Sequence, residues 1–235
     1  MKQRIEDKQE EGQITRLRLE GDEQIHNLWS TPIMMARPFD NAFLEKLRED
    51  IKYLLKDENS PGRLNQTDLW TLPDLPETML TLKAKFFELA EKTFRPTVEM
   101  PLPPFRPGKA YFRETFPHAP YRIMPHRHAN CYGVGIFYIT VDQRNPGNLM
   151  FLDPRGGINW TNQFTAYKKV QAEEGLMLVH PGYLIHFVEP SNPQMGMYYG
   201  YRLALISNIH RTGPEWKEVL RERDEQLLRM GGTDI

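Results

Sequence analysis

The sequence predicts a mainly β chain, a sandwich or barrel with α-helices flanking it. Three observations lead there. From Lys109 onward, short β-prone runs alternate with Gly, Pro and Asn turns. Before that point, apolar residues recur at helical spacing in two segments. A last helical pattern follows Gly213–Pro214.

Residues 1–24 are crowded with Lys, Arg, Glu, Asp and Gln and read as a flexible charged tail. They hold no apolar run of the kind a secretory signal needs. A single domain is expected over 25–235. It opens on a short apolar segment, Leu28–Met35, whose Pro32 suits an edge strand. The helical part spans 40–93. Asp40 is placed to N-cap a helix in which Leu44, Leu47, Ile51 and Leu54 form one stripe. Ser60-Pro61-Gly62 marks a loop. A second helix runs from about Pro76 to Thr93, with Leu80, Phe87 and Leu89 among its apolar residues. Pro96, Pro101, Pro103, Pro104 and Pro107 exclude helix and indicate an extended connector.

The β core is expected over about 109–208. Its candidate strands are Ala110–Phe116, Tyr132–Val141, Leu149–Leu152, Thr165–Val170, Leu176–Val179, Leu184–Val188 and Met197–Asn208. A closing helix at about 214–230 carries Trp216, Val219, Leu220 and Leu227 on one face. No long linker separates these parts, so they are read as one unit.

Composition narrows the function classes. The 235 residues include 30 Lys plus Arg against 31 Asp plus Glu. Nothing global draws the chain to nucleic acid or to anionic membranes, and neither partner is expected. Cys131 is the single cysteine, which excludes an intramolecular disulfide and a Cys-based zinc site. It also fits a reducing compartment. No run approaches the ~20 apolar residues of a membrane span. A cytoplasmic protein is expected, and its aromatic and proline-rich surface elements are compatible with a homodimer.

The chemistry concentrates on histidine. His126 and His128 stand in Pro125-His126-Arg127-His128-Ala129-Asn130. Side chains alternate in an extended segment, so both imidazoles point the same way and one metal ion can take both. His186 sits among apolar neighbours in Tyr183–Val188, after the Pro181–Gly182 turn. Imidazole suits iron, zinc, copper and nickel, and three facial ligands leave positions open for substrate and dioxygen. In a set of two histidines and one carboxylate, His128 occupies the carboxylate's place. Asp153, one strand further on, is the alternative third ligand. Taken singly, a His-x-His pair is an ordinary surface feature and His186 an ordinary half-buried histidine; the combination points to metal.

Arg202 is an independent signal. It lies in the otherwise apolar run Tyr199–Ile206, where a guanidinium is costly unless paired. It either meets a partner from elsewhere in the chain, faces outward, or holds a carboxylate ligand bidentately. Folding back about a turn at roughly Pro190–Gly196 brings Arg202 near the level of His186. A small dicarboxylate would then reach both metal and guanidinium.

Several segments, in order, resemble the 2-oxoglutarate/iron(II) oxygenases of bacteria and phages. They are Leu28–Ile33, Pro125–Asn130, Gly133–Ile139 with Gly147–Arg155, Gly175–His186 and Arg202–Asn208, and together they cover most of 28–208. The resemblance implies a double-stranded β-helix core, of the jelly-roll or cupin-like kind. It implies Fe(II) and 2-oxoglutarate as cofactor and co-substrate, with hydroxylation of a small molecule and release of succinate and CO2. His126 and His186 would be metal ligands, and Arg202 would bind the far carboxylate of 2-oxoglutarate with help from Tyr138. Two positions depart from the family. His128 replaces an acidic ligand, and Ala204 replaces a hydroxyl residue, so support for the carboxylate falls to Tyr138 or Ser207. Tyr111, Arg113, Tyr121, Arg122 and Trp160 lie near the expected mouth. Arg113 and Arg122 would favour an anionic substrate such as an amino acid or other carboxylate. Two other readings compete: a three-histidine cupin-type metal dioxygenase that does not use 2-oxoglutarate, and a non-catalytic jelly-roll binding module.

Overall fold

The computed structural model describes residues 16–17, 22–28, 31–56, 68–94, 105–115, 124–144, 146–154, 167–188 and 200–211. The expected closing helix at about 214–230, the Ser60–Gly62 loop and the connector over 96–104 lie outside them.

Element order is β1 (Arg16–Leu17), β2 (Glu23–Leu28), β3 (Thr31–Ala36), α1 (Asn41–Asp50) and α2 (Glu77–Phe94). There follow β4 (Phe105–Thr115), β5 (Gly133–Val141), β6 (Asn148–Leu152), β7 (Tyr167–Gln171), β8 (Met177–Pro181), β9 (His186–Val188) and β10 (Arg202–Arg211). Each strand expected of the β core has a counterpart among the described residues; Phe116, Thr165–Ala166 and Met197–Tyr199 lie outside them. Asp40 caps α1, its side chain accepting from the backbone N–H of Phe43 at 2.8 Å. The stripe continues past the end of α1 through Ile51 into a 3-10 turn, Lys52–Leu54. No helix among the described residues is long and apolar enough to cross a membrane.

The strands form two sheets, almost wholly antiparallel. One runs β1-β7-β6-β9, the other β2-β3-β8-β5-β10-β4. The six-stranded sheet is apolar on both faces, and alternation sorts its residues between two cores. Met34, Phe137, Ile139, Met177, Val179, Leu203 and Leu205 pack outward against Leu44 and Leu47 of α1 and Leu82, Phe86 and Leu89 of α2. Ile33, Met35, Ile136, Tyr138, Leu178 and Ala204 pack inward against Leu149, Phe151 and Val170 of the smaller sheet. Phe86 sits where any side chain at position 135 would go, which explains Gly135 in the middle of β5. Leu80 lies off this face and is half exposed.

Two expectations change. The charged tail is not all tail: β1 pairs with β7, and β2 forms a six-residue ladder with β3. One edge of the six-stranded sheet is therefore β2, and β3 lies inside the sheet. Charged and polar residues such as Glu23 and Gln24 hide a strand from apolar patterning while suiting it to an edge. The proline connector also ends earlier than expected, because β4 begins at Phe105. Pro107 is tolerated because β4 is an edge strand and Pro107 lies beside a register shift between Ser207 and Ile209.

Candidate metal centre

The site lies between the sheets, at the end where β4, β9 and β10 approach one another. His126 and His186 face each other in a β-bridge, His126 N donating to His186 O at 3.0 Å and His186 N to His126 O at 2.9 Å. His128 follows two residues on, and its backbone N–H donates to Gly182 O at 3.0 Å. The chain then turns through Asn130, which adopts φ 63°, a conformation asparagine tolerates. Ring centroids are 5.4 Å apart for His126 and His128, 4.5 Å for His126 and His186, and 5.2 Å for His128 and His186.

Each ring has its Nδ1 committed to an oxygen that only accepts. His126 Nδ1 donates to Met124 O at 2.8 Å, His128 Nδ1 to Asn208 Oδ1 at 2.7 Å, and His186 Nδ1 to Leu184 O at 3.0 Å. The Nε2 lone pairs are thereby left as the available ligand atoms, the arrangement seen when a second hydrogen bond orients a metal-binding imidazole. One ligand atom from each residue lies within 4.8 Å of the others, a spacing that fits a divalent ion. Burial holds His186 well below the ordinary histidine range, reinforced by neighbouring His180. Burial also lowers His128, with smaller effects from His126 and Arg113 opposing the Asn208 bond. Neutral imidazole is the form that binds metal.

Asp153, just beyond β6, is not part of this cluster. The set brought together is His126, His128 and His186.

A cavity of about 550 Å³, including space open to solvent, adjoins the three rings. Arg202, Tyr138, Arg113, Tyr111 and Thr115 supply its other polar side chains, and Ile136, Leu149, Phe187, Val188, Ala204 and Ile206 its apolar surface. Arg202 is 4% exposed, with Nη1 3.5 Å from Pro146 O. Burial raises the Tyr138 hydroxyl above its usual range, with the Arg202 charge pulling the other way. No carboxylate lines the cavity among the described residues. Arg122, Tyr121 and Trp160 lie outside the described residues.

No family model and no curated protein matches the sequence. Solved structures do match the fold. AviO1 from Streptomyces viridochromogenes Tue57 aligns over 78% of this chain and 90% of its own, with a TM-score of 0.55 and 15% identity. HygX from Streptomyces hygroscopicus, solved with nickel and 2-oxoglutarate bound, aligns over 78% and 84%, with a TM-score of 0.53 and 13% identity. A Pseudomonas putida prolyl-4-hydroxylase aligns over 80% and 90%, with a TM-score of 0.51 and 16% identity. The chain shares the fold of these three structures.

Within this fold, four residues of the site escaped the sequence reading. Asn208 orients His128 from 80 positions away. Thr115 stands opposite Arg202 in the β4–β10 register and faces the same cavity. Gly182 accepts the His128 N–H. His180 is fully buried, 4.7 Å from His186 between ring centroids. Of these, only His180 left a signal, an imidazole in the apolar run Met177–Pro181. Ser207 proves unable to serve the cavity. It faces the helical layer, where Trp70 Nε1 donates to its hydroxyl at 2.9 Å.

Proposed function

We propose that this chain is a non-haem Fe(II)- and 2-oxoglutarate-dependent oxygenase acting on a small molecule. The observation that carries the reading is the shared cavity. Three oriented imidazoles stand at one part of it and a buried guanidinium at another. The sheet orders support a double-stranded β-helix core, with β4-β10-β5-β8 as one half and the His126 bridge, β9, β6 and β7 as the other.

His126, His128 and His186 would hold the metal through Nε2. Iron and 2-oxoglutarate, when bound, would supply the oxidising chemistry with dioxygen as the oxidant, one oxygen atom going to the succinate formed with CO2 from 2-oxoglutarate and the other to the hydroxylated substrate. Arg202 fixes the far carboxylate of 2-oxoglutarate by charge-assisted hydrogen bonds. Thr115 and Tyr138 flank Arg202 and provide hydroxyl donors where Ala204 has none. Ile136, Leu149, Phe187 and Val188 give the cavity apolar walls, which strengthen the electrostatics beside them.

The all-histidine ligand set favours a second reading, a three-histidine dioxygenase that does not use 2-oxoglutarate. Fe(II) and 2-oxoglutarate added to oxygen-free protein separate the two. The proposed function requires a visible metal-to-2-oxoglutarate charge-transfer band that disappears in Arg202→Ala. Stoichiometric metal binding without the band supports the second reading. No metal binding at all supports a binding module.

A further inference from the structure

On the helical side of the six-stranded sheet, behind the metal centre, one short turn holds two strands of the site. Leu69–Thr71 is a 3-10 turn capped by Asp68, whose side chain accepts the Trp70 N–H at 3.0 Å. The same carboxylate oxygen accepts the backbone N–H of Ala110 in β4 at 2.9 Å. Trp70 is buried and donates its Nε1–H to the hydroxyl of Ser207 in β10 at 2.9 Å. Ser207 and Ala110 are register partners. The turn therefore holds a cross-strand pair by both of its members.

That pair is the last regular one before a bulge. β10 steps from Ser207 to Ile209 across one residue, Asn208, while β4 steps from Ala110 to Pro107 across two, Lys109 and Gly108. Two residues opposite one make a β-bulge, which raises the local twist and re-aims side chains. Asn208 stands at the bulge, and Asn208 orients His128. On its other side Asn208 pairs regularly with Val134 of β5, which fixes the face it takes. Its exact position on that face is left to the irregular β4 side. Space there is tight: a Cβ at Gly108 would stand 3.0 Å from Asn208 Cβ and overlap the His210 ring. The bond from His128 to Asn208 is 2.7 Å long. A displacement of about 1 Å carries it out of hydrogen-bond range.

We infer that Trp70 and Asp68 are positioning residues for the metal centre: by gripping Ser207 and Ala110 they hold the bulge that aims Asn208 at His128. The inference rests on the reading of His128 as a metal ligand. It gives a part in the site to a turn that does not line the cavity.

Co(II) affinity, read by competition with a chromophoric chelator, tests it in a double-mutant cycle. Trp70→Phe keeps a ring in the core and removes the N–H donor. It should lower Co(II) affinity about fivefold, a fraction of what losing the partner of a metal ligand costs. In Asn208→Ala the same substitution should change affinity less than about twofold, because the side chain it positions is gone. Ser207→Ala breaks the same bond from its other end, should reproduce both results, and serves where Trp70→Phe does not fold. Thr78→Val is the control. It removes the 2.7 Å hydrogen bond from Thr78 of α2 to Asp50 of α1 and touches no strand of the site. Co(II) affinity should stay within about twofold of wild type. The inference is overturned if the Trp70 and Asn208 effects multiply as independent losses, if neither Trp70→Phe nor Ser207→Ala weakens Co(II) binding, or if Thr78→Val weakens it as much. Wild-type protein that takes no Co(II) defeats the metal reading instead. Nuclear magnetic resonance of the metal-free protein then decides the inference through the His128 Nδ1–H, assigned by its loss in His128→Gln. Its exchange with solvent should quicken about threefold or more in Ser207→Ala. Unchanged exchange overturns the positioning role.

Discussion

Asn208 accepts the Nδ1 proton of His128 at 2.7 Å, so the strand that carries Arg202 also sets the orientation of a candidate metal ligand. The bond holds the tautomer that leaves Nε2 free. Removing such a partner typically costs ~10–100-fold in metal affinity. Asn208→Ala is expected to weaken Zn(II) or Co(II) binding by about that factor while the protein remains folded. Asn208→Asp keeps an acceptor, adds negative charge and should bind metal at least as tightly as wild type. Competition with a chromophoric chelator measures both. Equal affinity in wild type and Asn208→Ala would remove the orienting role.

His128→Asp tests the ligand set directly. The variant places a carboxylate where the resembling oxygenases have one, and adds the negative charge that the three-imidazole site lacks. Fe(II) and Co(II) affinity should rise, provided the Asn208 amide turns its NH2 toward the new carboxylate. His128→Ala removes a ligand and leaves Asn208 without its donor, so affinity should fall by at least 100-fold, about 2.7 kcal/mol. If His128→Ala binds metal as wild type does, His128 is an ordinary histidine of the pocket wall.

Much of this arrangement was legible from the chain because its signals are local. The two-residue spacing of His126 and His128 places them on one face in any extended segment. The Asp40 cap and the Leu44–Leu47 stripe depend on residues within a few positions. An isolated arginine in an apolar strand, Arg202, marks itself by its desolvation cost. Long-range register was not legible. Thr115 becomes a neighbour of Arg202 only because β4 pairs with β10, and Asn208 reaches His128 only because β10 ends beside that loop. The direction of Ser207 likewise depends on which face of β10 packs on Trp70. Strand β2 was hidden by its polar residues, whose pairing with β3 no periodicity announces.

His180 gives the apo protein an acid-sensitive core. It is 0% exposed, its Nδ1 donates to Pro181 O at 2.9 Å, and its Nε2 has no hydrogen-bond partner among the described residues. Burial pushes its pKa down to about 3. The unfolded chain takes up this proton near pH 6.5, whereas the folded protein refuses it until far lower pH. Stability is therefore complete above about pH 6.5 and falls as pH drops below that value. His180 alone should cost about 2 kcal/mol between pH 6.5 and 4.5. Urea midpoints of metal-free wild type and His180→Phe measure the effect, because carboxylates contribute equally to both. The wild-type curve should fall more steeply with acid. Parallel curves would mean that His180 is protonated in the folded protein.

Gly182 links backbone packing to the metal centre. Its N–H donates to Tyr132 O at 3.0 Å, and its own carbonyl accepts the N–H of His128 at 3.0 Å. A Cβ at this position would overlap the carbonyl group of Cys131, which is backbone and cannot rotate aside. Gly182→Ala must therefore push the 128–132 segment away from β8. Such a displacement strains both hydrogen bonds and moves the His128 ring relative to His126 and His186. We expect a loss of about 2 kcal/mol in stability, typical of overpacking a tight interior. Metal affinity should also fall by at least tenfold, although no ligand has been touched. Alanine at Gly135 is the control. There the obstructing group is the Phe86 ring, on the helical side of the sheet. Gly135→Ala should cost comparable stability with little change in metal affinity, measured on the fraction that remains folded. If both variants lower affinity equally, the effect at Gly182 reflects general destabilisation rather than displacement of His128.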